Sequence, residues 1–236
     1  MELNNIVPWG RSFQEYREIF SLTDNDLNNN ILGCGDGPAS FNAELTARGG
    51  RVISADPTYN IDIVNYKKRM AAVYDEIISQ LRANRDEYIW QRFLSVEELG
   101  KARMDAMELF LADYMAGREE GRYITASLPT LPFKDNQFDL ALCSHYLFLY
   151  SEQVDFEQHL LAIKELCRVA REVRVYPLIA LNGALSPHLR KVMVALADYG
   201  VRVSLASVGY RFQKGATEML VASRKDFSNQ LKRAKI

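Results

Sequence analysis

Three short stretches carry the residue types and spacings from which chemistry can be built. Gly33-Cys34-Gly35-Asp36-Gly37 follows the apolar Asn30-Ile31-Leu32 and precedes a helical pattern over 39–48 that Gly49-Gly50 stops. A glycine loop between a strand and a helix turns backbone N–H groups and the positive end of the helix dipole toward an anionic ligand group. A tight turn with no ligand is the plainer use of the same glycines. The dinucleotide pattern G-x-G-x-x-G needs its third glycine where this chain has Pro38, so a ligand without a pyrophosphate suits the loop better and a nicotinamide-dependent oxidoreductase is disfavoured. Asp56 ends a second short strand, 19 residues after Gly37. In a doubly wound sheet both positions face the crevice at the carboxyl ends of adjacent strands, where a carboxylate can accept two hydrogen bonds from a vicinal diol. The same Asp can simply turn the chain before Pro57. His145 directly follows the apolar run Phe138–Ser144. An imidazole there can take a proton from a hydroxyl or amine, or serve only packing through a hydrogen bond at the strand end.

The elements that must position these residues alternate. Strand patterns fall at 30–32, 51–56, 123–126, 138–144, 173–176, 201–206 and 218–222, the last two close enough around Gly209 and Gly215 to form an antiparallel edge pair. Helical patterns lie between them, over 154–170 and over 187–199, the latter with Ser186 as cap, Pro187 in the first turn and Gly200 as stop. Ser12 and Glu15 make a capping box for a short helix ending near Phe20. This rhythm predicts an α/β fold, a doubly wound and mainly parallel sheet with helices on both faces. One connection is too long: 66 residues separate Asp56 from Tyr123, where about 10 to 12 suffice for a crossover. A second capping box at Ser95-Val96-Glu97-Glu98 opens an i, i+3/i+4 stripe through Leu99, Ala102, Arg103, Ala106, Met107, Phe110 and Tyr114. Residues 60–122 therefore read as a helical insertion of two or three helices within a single domain spanning 1–236, placed to act as a lid or cap.

Composition removes several function classes. Among 236 residues, 29 Lys+Arg stand against 30 Asp+Glu, a net charge of -1, and the insertion repeats the balance with 10 basic and 12 acidic residues. No basic field is available to neutralise a phosphate backbone, so nucleic acid is not the expected partner. No apolar run approaches the roughly 18 to 20 residues that span a bilayer, and Met1 to Arg11 lacks the pattern of a secretory leader, so no membrane association and a cytoplasmic location are expected. Cys34, Cys143 and Cys167 are odd in number and set in apolar surroundings, which suggests buried, reduced thiols; no His/Cys/Asp/Glu cluster has metal spacing, and no metal is assigned. The last residues, 225–236, read as a solvated tail.

Leu131-Pro132-Phe133 followed by Phe138-Asp139 and the apolar strand to His145 adds a third element. In this order with the glycine loop and Asp56, the chain resembles the class I S-adenosylmethionine-dependent methyltransferases from about Asn30 to Ala222. The resemblance implies a Rossmann-like sheet of seven strands, the final one antiparallel, with S-adenosylmethionine lying over Gly33, Cys34, Gly35, Asp36 and Gly37. It puts Asp56 on the ribose hydroxyls, with Pro57 beside it. Ser127 stands where the family usually has an Asp on the adenine amine; Leu128 follows along the base, and Ser144 completes the cofactor contacts. Ile31 is a second departure, since an acidic residue near the cofactor's amino group is common there; Asp36 is the residue able to take over that role. The same resemblance makes His145 the best catalytic candidate, and the absence of a basic surface for nucleic acid makes a small molecule the expected substrate. Arg11 and Tyr16, with Trp9, are placed to fold over the cofactor, Arg11 against its carboxylate or else at the surface. Tyr59 is placed either at the adenine or ribose edge or as an anchor for the insertion. Tyr146, with Phe148 and Tyr150, lines an aromatic substrate pocket or packs the core, and Tyr74, Tyr88, Trp90 and Phe93 face the site or build the insertion's own core. A binding module that holds the cofactor without transferring a methyl group is the alternative reading, with Ile31 and Ser127 in its favour. The oligomeric state is not legible.

Overall fold

The structure, a computed structural model, describes residues 7–224. The strands are β1 Asn30–Cys34, β2 Arg51–Ala55, β3 Tyr123–Ile124, β4 Phe138–Ser144, β5 Ala170–Tyr176, β6 Val201–Ser207 and β7 Glu218–Arg224. They form one sheet in the order β3-β2-β1-β4-β5-β7-β6, with β7 antiparallel to both of its neighbours and all other pairs parallel. The order reverses between β1 and β4, so the loops after these two strands meet at the crevice where ligands bind in such sheets. The expected tail at 225–236 lies outside the described residues. Among the described residues no helix is long and apolar enough to cross a membrane.

Strand alternation sorts the core. Ile31, Leu140 and Leu142 face one side and pack with Phe13, Tyr16, Ile19 and Phe41 from helices α1 (Phe13–Ile19) and α3 (Phe41–Ala47). Leu32, Ala141 and Cys143 face the other, against Ile163 and Leu166 of α6 (Phe156–Val169) and Val192 and Leu196 of α7 (Leu189–Asp198). Both bonds of the Ser12–Glu15 box form at the start of α1. A short helix, α2 (Asp24–Leu27), capped by Thr23 and Asp26, was not expected. Two boundaries also differ from expectation. Helix α6 starts after Asp155, which closes a box with Gln158, and its chain is already extended at Ala170, so β5 begins three residues early. Helix α7 starts after His188 and not at Pro187; the Ser186 hydroxyl, read as its cap, bonds the Ser151 hydroxyl at 2.7 Å and accepts the His188 N–H at 3.3 Å.

The long connection holds two helices, α4 (Ile63–Ala83) and α5 (Val96–Glu119). Helix α5 packs on α3 and β3 and is the crossover that any parallel β2–β3 pair needs, while α4 packs on α5 as an added layer. The added layer is therefore α4 and the loop 84–95. Ser95 caps α5 by accepting the Glu98 N–H, but Glu98 returns its bond to the Leu94 N–H, so the box is half made. The loop after α4 is fastened to the turn between β6 and β7: Ile89 N–H donates to Phe212 O at 2.6 Å, and Lys214 N–H donates to Glu87 O at 3.0 Å. Tyr88, Trp90 and Phe93 surround the Phe212 ring.

Candidate functional site

Every residue expected at the site except Gly33 and Tyr59 lines one cavity of about 170 Å³ at the carboxyl ends of β1, β2 and β4. The glycine loop owes its shape to three different constraints. A Cβ at Gly33 would lie 1.8 Å from Asp36 Oδ2, so Gly33 contributes by making room for the Asp36 side chain to fold back over it. Gly35 and Gly37 have φ of +71° and +51°, a backbone that glycine adopts without cost. Gly37 has open space beyond its Cα.

Folding back buries the Asp36 carboxylate. Its oxygens accept from the Tyr16 hydroxyl at 2.8 Å and the Ser54 hydroxyl at 2.7 Å. Burial, together with the neighbouring Asp56, lifts this carboxyl to about 7 despite both bonds. Ile31, two residues before Gly33 on the same strand face, is fully buried in the core, so an acidic group there would be stranded; the Asp36 carboxylate occupies the space one step nearer the crevice. Asp56 is fixed from two sides. One oxygen accepts the Gly37 N–H at 2.9 Å, and the other accepts the Thr58 N–H at 2.8 Å and the Thr58 hydroxyl at 2.5 Å. Of about four lone-pair positions on a carboxylate three are thus used, leaving capacity for one ribose hydroxyl where the sequence suggested two. Burial raises its pKa, against these bonds. Thr58 was missed in the sequence, and so was Arg69 of α4, which enters the cavity wall from the insertion; no local motif marks either.

Polar groups run from the loop to His145. The Tyr16 hydroxyl donates to Asp36, and Ser144, in the same cavity wall, has its Oγ 2.9 Å from His145 Nδ1. Where Nδ1 donates to Ser144, Nε2 keeps its lone pair. Burial, then Arg11 and Arg103, depress the His145 pKa well below its ordinary value, so the ring is neutral and able to accept a proton. Its backbone has a φ of 51°, held by a 2.6 Å bond from its N–H to Tyr176 O. His159, on α6, and His188 are elsewhere, their rings tilted at 43° with centroids 5.0 Å apart. Arg11 is half-buried in the cavity wall. It donates from Nη1 to Trp9 O at 2.9 Å and leaves Nε without a hydrogen-bond partner among the described residues. Its pKa falls to about 10 through burial and the nearby Arg103.

These groups fit S-adenosylmethionine. The orphaned Arg11 guanidinium suits the methionine carboxylate, Asp36 the ammonium, Asp56 a ribose hydroxyl, and Ser127 and Leu128 the base. Tyr59 does not belong to this set: it is fully buried among Tyr66, Phe110, Tyr114 and Tyr123, and only its hydroxyl reaches the loop, donating to Gly37 O at 2.8 Å. Of its two expected places it takes the anchor, because the aromatic core of α4 and α5 encloses its ring.

A second chamber of about 80 Å³ adjoins the first, and His145, Arg11, Trp9 and Val7 line both. Its walls come from α4, α5 and the loop between them (Ile77, Leu81, Tyr88, Leu99), from the segment after β4 and from the β6–β7 turn. Tyr150 lines it and Tyr146 lines the first chamber, while Phe148 is buried in the core; Trp90 and Phe93 pack around Phe212. Among the described residues no three His, Cys, Asp or Glu converge as metal ligands, and the three cysteines are free and buried.

Comparison with known proteins agrees with this geometry. A family model described as a methyltransferase domain matches residues 98–172, which include β4, Ser144 and His145. An uncharacterized protein of Methanocaldococcus jannaschii is 32% identical over 225 residues, covering 95% of this chain and 99% of that one, so the two belong to one family. The mitomycin 7-O-methyltransferase MmcR shares the fold at 13% identity and a TM-score of 0.50 over 90% of this chain, which spans 54% of that enzyme. A putative methyltransferase of Methanococcus maripaludis aligns over 91% of this chain and 84% of its own, at 9% identity and a TM-score of 0.47. The strand order, the glycine loop and the methyltransferase-domain match together make the chain a member of the class I S-adenosylmethionine-dependent methyltransferases, with S-adenosylmethionine as its cofactor.

Proposed function

We propose that the protein methylates a small molecule held in the second chamber, with α4 and the loop 84–95 as its cap, in the cytoplasm, where the three free cysteines stay reduced. The observation that carries the reading is that His145 and Arg11 line both chambers, so one doorway serves the methyl donor and the acceptor. S-adenosylmethionine supplies a methyl carbon already activated by its sulfonium; the chain's own residues orient, exclude water and move a proton. Arg11 and Asp36 hold the two ends of the amino-acid group, and Asp56 and Ser127 hold the nucleoside. His145 Nε2, freed by the Ser144 bond at Nδ1, accepts the proton of an acceptor hydroxyl or amine. The chamber lies beneath α4, α5 and the loop 84–95, which supports a small acceptor over a polymer. The buried Ile31 removes one argument for a non-catalytic module, since Asp36 supplies the missing charge.

The test is His145→Gln. S-adenosylhomocysteine affinity measured by calorimetry should stay within about twofold of wild type, while transfer of a labelled methyl group to the small-molecule fraction of a cell extract should fall by about 10² to 10⁴. Undiminished transfer would remove His145 from the chemistry, and label found only in protein or nucleic acid would overturn the small-molecule reading.

A further inference from the structure

The second chamber contains a buried cation that the chain does not fully satisfy. Arg103, on the face of α5 that otherwise carries Leu99, Met107 and Phe110, is 1% exposed. Its Nη1 lies 2.5 Å from Glu15 Oε2, and its Nη2 lies 3.4 Å from the Tyr210 hydroxyl, which itself donates to Glu15 Oε1 at 2.8 Å. Nε has no hydrogen-bond partner among the described residues, and Arg103 lines the chamber. A buried guanidinium keeps an unanswered N–H only at a cost, which a ligand acceptor removes.

Charge balance points the same way. Among the described residues Glu15 is the carboxylate whose charge reaches both Arg103 and Arg11, and Arg11 makes no ion pair with any described residue. Asp36 and Asp56 are committed on the far side, to Tyr16 and Ser54 and to Gly37 and Thr58. Seating S-adenosylmethionine does not restore neutrality, because its sulfonium and ammonium outnumber its single carboxylate, which answers one guanidinium only. The rest of the chamber wall is apolar, with Ile77, Leu81, Leu99, Leu149, Leu181 and Phe212. An excess of one positive charge in an apolar enclosure favours a monoanion with a hydrocarbon body over a neutral molecule or a phosphate dianion.

Resting on the methyltransferase reading above, we propose that the acceptor is a small carboxylic acid with an apolar ring or chain, whose carboxylate is answered by the Arg103 guanidinium while its nucleophile lies at His145. Arg103 then selects the substrate, and the Glu15–Tyr210 pair positions it.

Matched acids and amides separate this from simpler outcomes. Protein saturated with S-adenosylhomocysteine is titrated with 4-hydroxybenzoate, 4-hydroxyphenylacetate and octanoate, each against its primary amide, by thermal shift and calorimetry. At least one acid should bind, with at least tenfold tighter Kd than its amide. Leu99→Trp, which fills the chamber without touching the glycine loop, should abolish acid binding and leave the S-adenosylhomocysteine Kd unchanged. Failure to bind S-adenosylhomocysteine at all would strike the methyltransferase reading. Binding it normally while no acid binds, while amides bind as well as acids, or while acids still bind Leu99→Trp, would overturn the carboxylate proposal alone.

Discussion

Asp36 offers the sharpest quantitative test of the site. Its carboxylate is buried, accepts from Tyr16 and Ser54, and has no cation paired with it among the described residues. Burial and the proximity of Asp56 move it from an ordinary 3.8 to about 7. A carboxyl raised in this way favours the fold only while protonated: its contribution is complete below about pH 4 and is lost as the pH climbs through about 7. At 1.36 kcal/mol per pH unit, the gap between 3.8 and about 7 is worth about 4 kcal/mol. His145 works in the opposite sense over part of the same range, because a depressed imidazole costs stability as the pH falls. The wild-type curve mixes the two, but the difference between wild type and Asp36→Asn isolates Asp36. The amide never ionises, and Ser54 can reverse its hydroxyl to accept from it. The variant's stability relative to wild type should therefore grow between pH 5 and pH 8, by about 2.5 kcal/mol of that total, and level off above pH 8. Urea denaturation at pH 5, 6, 7 and 8 with unchanged m-values measures it. A difference that does not vary with pH would refute the assignment.

The same carboxylate should couple cofactor binding to protons. An ammonium beside Asp36 favours its ionised form, so S-adenosylhomocysteine binds with proton release below about pH 7, and its affinity rises toward a plateau above it, by at most about tenfold per pH unit. Calorimetry in two buffers of different ionisation enthalpy counts the protons. Asp36→Asn should bind more weakly and release none.

Asp56→Asn retains one acceptor oxygen where the carboxylate serves Gly37 and Thr58 from two, so a donor is set against a donor. S-adenosylhomocysteine affinity should fall by about 1.5 to 3 kcal/mol, roughly 10- to 150-fold, and an unchanged Kd in a folded variant would take Asp56 out of the site. Gly33→Ala drives a methyl group into the Asp36 carboxylate and should cost about 1 to 3 kcal/mol of stability. Asp36→Ala relieves that contact, so a double-mutant cycle should show the two substitutions strongly non-additive; additive losses would mean that the loop yields in some other way.

Much of the fold is legible because each element announces itself locally. Seven strand patterns end in Gly, Asp-Pro or polar turns, and the Ser12–Glu15 box needs only four residues. The errors fall where local signals compete. Ser186-Pro187 has the form of a helix start, but the Ser186 hydroxyl is taken by Ser151, 35 residues away, so the helix opens two residues later. Residues 60–122 hold two helices, but which of them is the crossover and which the added layer was not legible, for a related reason. Periodicity marks α5 as amphipathic, yet the face that binds α3 and β3 and the face that meets α4 both look apolar in one dimension.

The candidate site divides along the same line. Residues next to a motif lie together: Cys34 to Gly37, Asp56, Ser127, Ser144 and His145 line the first cavity. What the sequence could not reveal is how the polar groups are spent. Asp36 and Asp56 both read as free carboxylates for a ligand, and the fold commits most of their oxygens to Tyr16, Ser54, Gly37 and Thr58, so selectivity rests on the few positions left open. Arg103 shows the reverse. Within its helix it interrupts an apolar stripe and looks like an exposed residue out of place, and only the meeting of α1, α5 and the β6–β7 turn around Glu15 and Tyr210 makes it a buried cation. Burying that charge is costly even with Glu15 beside it, and the Glu15 pair leaves Nε without a hydrogen-bond partner among the described residues. That residual cost is the ground on which acceptor recognition by Arg103 is proposed.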